Sequence, residues 1–174
     1  AYDFGTGLTA AFGAQTTESA VFTDESLDAY ALNTAYTGDN YGVSVTYGVV
    51  ETSTTNEDTY TAFNAYYLPD GSGLPSLSVG YEIGDIGGAA ATVDEKTSFM
   101  VGLSWDEVGP GSAGIALGHS STVEGSDEEY QYEAYYSYPI NDGMTITPLI
   151  YSKDNATANK DDSTGVMVKT SFSF

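Results

Sequence analysis

Hydrophobic and polar positions alternate with a period of two along most of this 174-residue chain. In YGVSVTYGVV, Tyr41, Val43, Val45, Tyr47 and Val49 share one face, and Gly42, Ser44, Thr46 and Gly48 share the other. SLSVGYEI sets Leu77, Val79, Tyr81 and Ile83 against Ser76, Ser78, Gly80 and Glu82. SFMVGLSW sets Phe99, Val101, Leu103 and Trp105 against Ser98, Gly102 and Ser104. YQYEAYYSY sets Tyr130, Tyr132, Ala134, Tyr136 and Tyr138 against Gln131, Glu133 and Ser137. Such alternation is the strand signature, and no segment sustains a 3.6-residue period. The pattern predicts about ten strands, near 6–15, 27–37, 40–51, 58–68, 75–84, 96–106, 112–122, 128–139, 143–153 and 163–174. Each approaches the roughly 9–11 residues of a tilted membrane strand. TYTAFNAYYL leaves open which of its faces is the apolar one.

The joints between these strands differ in kind. TGDN, PDGSGLP, GPGS and INDG are turn sequences rich in Gly, Pro, Asn and Asp. The intervening joints, TTESAVFTDES, TSTTNED, GDIGGAAATVDE, VEGSDEE and DNATANKDD, read as longer and acidic. Short turns on one rim and long loops on the other are expected of an outer-membrane barrel. The polar face is mild, mostly Gly, Ser, Thr and Ala, whereas water-exposed sheet faces usually carry more Lys and Glu. Tyr36, Tyr41, Tyr66, Tyr67, Trp105, Tyr136 and Tyr138 fall toward the short-turn side. Tyr and Trp suit a membrane interface because the ring is apolar and its polar tip stays wet. The expected fold is therefore all-β, an antiparallel up-and-down transmembrane β-barrel spanning residues 1–174, or the C-terminal part of one. A soluble β-sandwich is the alternative, in which the tyrosines and valines would interlock in a dry core.

Composition narrows the function. Four Lys+Arg against 25 Asp+Glu give a formal charge of −21, which leaves no basic patch for nucleic acid. With 41% hydrophobic and 13% aromatic residues, the chain is too apolar for a solvating acidic tail. Zero Cys removes disulfides and thiolate chemistry together. No apolar run approaches the roughly 20 residues of a membrane helix. The opening AYDFGTGLTA, without an initiator Met, is expected of a processed product or of part of a longer chain.

The last stretch, GVMVKTSFSF, alternates to its final residue, with Val166, Val168, Phe172 and Phe174 in step. In hydrocarbon a sheet edge must be paired, so a terminal strand of this kind is expected to form a barrel seam. Together with FMVGLSWDEVGPGSAGIALGH, YEAYY and DGMTITP, this end resembles cyanobacterial outer-membrane porins of the OprB-like (carbohydrate-selective and iron-uptake) family. The resemblance covers roughly the last 80 residues; earlier strands match in style only. It implies a bacterial outer-membrane location, passive transport of small hydrophilic solutes such as carbohydrates and inorganic ions, and no catalysis. It also implies Phe172 and Phe174 as a signal to the barrel assembly machinery, outer-membrane lipid as a partner, and it allows a homotrimer. Family barrels are usually taken to have 16 strands. This chain is then either the C-terminal part of such a porin or a smaller barrel of about ten strands.

Site chemistry is sparse. A lone His119 provides neither a zinc set nor a Ser–His–Asp triad, and it is expected to be an ordinary polar residue of the lumen or outer rim. The acidic runs with Glu124, Asp127, Glu128 and Glu129, and with Asp154, Asp161 and Asp162, offer hard oxygens for Ca²⁺ but lack EF-hand spacing. Solvated loop charge is the plainer reading, and neither metal nor cofactor is expected. Asn155 heads a sequon by letters only. The candidate pore-lining residues are Glu82, Asp106, Gln131, Glu133 and Lys169, on the polar alternation. Charge along a pore selects ions by sign, and the acidic excess predicts a cation preference. A wide lumen merely solvated by these charges is the competing expectation. A filled barrel with a structural or surface-interaction role is the competing function.

Overall fold

The computed structural model describes residues 1–17, 27–53, 55–71, 73–88, 94–155 and 161–173. The chain forms eleven strands: β1 (Tyr2–Asp3), β2 (Leu8–Thr16), β3 (Asp28–Thr37), β4 (Tyr41–Ser53), β5 (Asn56–Tyr67), β6 (Ser76–Asp85), β7 (Glu95–Val108), β8 (Gly111–Val123), β9 (Tyr130–Asn141), β10 (Met144–Lys153) and β11 (Ser163–Phe172). They make one antiparallel up-and-down sheet in which every strand pairs with its sequence neighbours. Ten of the eleven lie where the alternation puts them. The extra one, β1, is a two-residue addition held by Tyr2 opposite Ala10 and Asp3 opposite Thr9. Residue 174 falls outside the described residues, so the structure bears on Phe172 alone of the terminal pair.

Register fixes the faces. The apolar set of β4 lies opposite Tyr36, Thr34, Leu32 and Tyr30 of β3, and opposite Tyr67, Ala65, Phe63, Thr61 and Thr59 of β5. The same face continues through Leu77, Val79, Tyr81 and Ile83 to Phe99, Val101 and Leu103, then to Ile115 and Leu117. It ends on Ile146, Ile150, Val166 and Phe172. Because opposed residues in a ladder share a face, one unbroken apolar surface crosses all the long strands. Val43 is 48% exposed on that surface, and Val49 is the single buried hydrophobic residue among those described. The total accessible area of 11407 Å² exceeds the roughly 8,000 Å² of a compact globule of this mass. The dry tyrosine–valine core of a sandwich is not formed: the described residues supply no second layer.

The ladder is also staggered. Following directly opposed partners from Leu8 leads through Tyr36, Val43, Ala65, Val79, Val101, Leu117, Tyr132 and Ser152 to Thr164. The row starts at the foot of β2 and finishes near the head of β11. An unstaggered meander would have finished near Phe172; a cumulative climb of this kind is what closing a barrel requires. The ladder between β9 and β10 skips the position of Pro148, which has no N–H to give.

The connections depart from strict short–long alternation. The lower rim carries turns 38–40, 109–110 and 142–143, as expected, but its connection 68–75 is long. The upper rim carries 17–27, 86–94, 124–129 and 154–162. There TSTTNED is not a loop: β4 runs to Ser53 and β5 begins at Asn56, because Ser53, Asn56, Glu57 and Asp58 continue the ladder, with an irregularity at Thr52. Gly109 takes the left-handed φ of +62° that the two-residue turn into β8 needs.

Candidate functional site

The polar face is the chemically distinctive surface. Opposed residues there include Asn33 and Thr46, whose side chains are hydrogen-bonded at 2.7 Å, and Thr147 and Ser137, bonded at 3.0 Å. Small residues were expected on this face; four tyrosines were not. Tyr66 lies directly opposite Gly42, Tyr60 opposite Gly84, Tyr135 opposite Gly114 and Tyr151 opposite Gly165. In each pair the ring occupies the space a Cβ would need: one built on Gly84 comes within 2.9 Å of Tyr60 Cδ1, and those on Gly42, Gly114 and Gly165 overlap their rings outright. The ring therefore folds down over its neighbour strand and lies along the wall. The sequence carried a signal for this, a Tyr out of phase with the apolar alternation beside a Gly in the next strand. Register is needed to see it. Tyr66 thus leaves the interfacial group in which its proximity to Tyr67 had placed it.

At the upper rim one polar knot ties three strands. Asp58, 8% exposed, accepts from Tyr60 Oη at 3.0 Å, from the Gly87 backbone N–H at 3.0 Å and from Lys96 Nζ at 3.3 Å. Lys96 Nζ also stands 4.7 Å from the Tyr60 ring centroid. The ammonium spans from β7 to β5 because β6 presents Gly84 between them. A second ion pair, Lys153 with Glu129 at 3.0 Å, lies at the same rim and is more exposed. Neither lysine was among the candidates that the polar alternation supplied. Asp58→Ala is expected to free Gly87 N–H and Lys96 together, at roughly 1 kcal/mol per lost bond. Hydrogen exchange of the amides at 86–88 should accelerate, with exchange in β9 and β10 unchanged.

The structure separates the five candidate pore residues. Gln131 and Glu133 come together in a hollow of about 590 Å³ with Met100, Tyr151 and Lys153. Glu82 stands on the polar face of β6, opposite Ala62 and Ser98. Lys169 is on the polar face of β11, opposite Thr147. Asp106 is elsewhere: the ladder shifts register between Trp105 and Val108, and Asp106 borders a lower-rim hollow with residues of the 68–75 connection. A neighbouring hollow of about 490 Å³ shares Glu133 and Tyr151 with the one at Gln131 and is otherwise mostly apolar, around Leu103, Ile115, Ala134 and Ile150.

The apolar face bears the expected rings at its lower edge. Tyr36 and Tyr41 stand 5.9 Å apart, Tyr136 and Tyr138 stand 6.5 Å apart, and Tyr136 Oη donates to Val108 O at 2.8 Å. His119, expected on the polar face or at the outer rim, lies toward the upper rim but on the apolar face, 6% exposed, edge-on to Phe99 at 4.9 Å and near Tyr130 at 5.9 Å. Alternation alone gives its face; burial comes from the rings on either side. Of the acidic loops, Asn155 N–H donates to Asp162 Oδ1 at 3.1 Å, and among the described residues no three metal-ligating side chains converge. Residues 156–160, including the rest of the sequon, lie outside the described residues. No protein-family model matches the chain, and no curated protein matches it significantly.

Proposed function

We propose that this chain forms the wall of a bacterial outer-membrane β-barrel that passes small hydrophilic solutes and ions by passive diffusion, with a preference for cations. The observation that carries the reading is the two-faced sheet: an apolar surface continuous over every long strand and exposed along its length, backed by a face of Gly, Ser, Thr and Ala. A sheet in water would have to cover that apolar surface, whereas lipid covers it directly. The climbing register supports closure, and tyrosines folded onto glycines keep their rings out of the interior. The resemblance of the last 80 residues to OprB-like porins points the same way and adds carbohydrates and inorganic ions as the solute class.

Charge supplies the selectivity. Lys96 and Lys153 are paired with Asp58 and Glu129, so their charge is largely spent locally. The remaining acids, Glu82 and Glu133 on the polar face and the acidic upper rim, set the sign of the field. In planar bilayers under a KCl gradient, the purified protein is expected to give discrete conductance steps with a cation-selective reversal potential. Glu82→Gln with Glu133→Gln should move that potential toward zero while the steps remain. An anion-selective potential would refute the charge argument, and absence of any step would refute the channel.

A second reading has one observation in its favour. Met100 and Met167 add long apolar side chains to the face that carries the four tyrosines, at 45% and 54% exposure. In a narrow barrel such chains fill the interior, as they do in small eight-stranded barrels. The protein would then be a structural or surface-interaction barrel that binds in the membrane without conducting.

A further inference from the structure

The polar face repeats one arrangement, and a lysine completes only one of the copies. Two of the four tyrosines laid on glycines follow a carboxylate by two residues: Asp58 precedes Tyr60 on β5, and Glu133 precedes Tyr135 on β9. Both strands run from the upper rim to the lower, so each carboxylate stands one step above its ring on the same face. Each ring lies over a glycine of the neighbouring strand, Gly84 of β6 or Gly114 of β8. Beyond that glycine, β7 supplies the third residue of both rows: Lys96 opposite Gly84, and Ser104 opposite Gly114.

The completed copy shows what such a place holds. The Lys96 stem passes over Gly84, and its ammonium stands 3.3 Å from Asp58 Oδ2 and 4.7 Å from the centre of the Tyr60 ring. Carboxylate and ring together suit an alkylammonium: the charge meets both, and the methylenes lie along the ring and the bare glycine. In the second copy the carboxylate is exposed and the ring half-buried. Among the described residues no cation reaches Glu133; Lys153, diagonal to it on β10, is held by Glu129 at 3.0 Å. Ala116 and Gly102 continue the row of Glu133, and the hollow beside it has room for a stem that β7 does not supply.

We propose that Glu133, Tyr135 and the small residues Gly102, Gly114 and Ala116 form a binding site for a primary alkylammonium solute. The carboxylate takes the ammonium, and the Tyr135 ring supports it from below. The stem lies over the small residues, as that of Lys96 lies over Gly84. An inorganic cation gains no such stem contact, so the site favours organic amines over Na⁺ and K⁺. The inference deepens the channel reading and rests on its wetted polar face, but it needs neither closure of the sheet nor conduction.

The full chain would be folded in lipid nanodiscs, its strand content checked by circular dichroism, and titrated with n-butylammonium chloride by saturation-transfer NMR. Binding is expected to persist in NaCl that screens the wall, and 1-butanol, a stem without charge, should bind far less. Glu133→Gln should weaken n-butylammonium binding by about tenfold. Glu82→Gln, which removes the same charge from the same face, should leave it unchanged. Ser104→Lys supplies an internal ammonium at the place Lys96 takes opposite Gly84, and should abolish binding of the free amine. Equal losses in Glu82→Gln and Glu133→Gln would overturn the site in favour of general attraction by an acidic wall. Undiminished binding in Ser104→Lys would overturn it as well. Conductance steps without amine binding would refute the inference and leave the channel standing; amine binding without steps would do the reverse.

Discussion

Val45→Arg is expected to destabilise the folded sheet in lipid by about 2–4 kcal/mol, whereas Ser44→Arg, one residue away, costs at most about 1. Val45 sits mid-strand on the apolar face, opposite Thr34 of β3 and Phe63 of β5. A guanidinium there would lie at hydrocarbon depth, with no described carboxylate opposite it. Ser44 points the other way, between Ala35 and Asn64, onto the polar face. A charge on that face is hydrated if the interior holds water. Urea titrations of both variants in phospholipid vesicles would measure the difference. Equal costs would mean that the two faces see the same medium, and the assignment of lipid and lumen would fall with them.

Gly42→Val and Gly114→Val are expected to cost about 1–3 kcal/mol each through overpacking, because their side chains would enter the volumes of the Tyr66 and Tyr135 rings. Intrinsic strand preference runs the other way, since Val is favoured over Gly in a sheet. The sign of the measured change therefore decides which effect dominates. Gly13→Val is the control, with nothing near its Cβ, and should be neutral or slightly stabilising. Adding Tyr66→Ala to Gly42→Val should recover most of the loss, giving a coupling energy in a double-mutant cycle that distant pairs do not show. A Gly42→Val variant as stable as the parent would mean that the ring is free to stand away from the wall and into the interior.

The positions of ten strands were legible because alternation is a local property: each residue reports its face through its chemistry, and the period of two needs no partner to be read. Where both faces mix apolar and polar groups, as in TYTAFNAYYL, the sequence could not choose. The ladder did, putting Phe63 and Ala65 with the valines and Tyr60 and Tyr66 with the glycines. The link TSTTNED was misread for a related reason. Its polar letters suit a loop, but at the head of a strand beyond the apolar band they suit an extended ladder equally well.

By itself, then, the sequence determined a sheet of long alternating strands with one apolar and one mild face. It also determined a charge balance hostile to nucleic acid. Those properties reside in single residues and their immediate neighbours. Only the tertiary structure decided which residues meet across strands: Tyr on Gly, Lys96 reaching Asp58 over Gly84, His119 buried between rings, Asp106 parted from the other candidates. Pairing register is the physical reason. It is a relation between segments up to dozens of residues apart, set by the summed fit of whole strands, and no single letter of the chain records it.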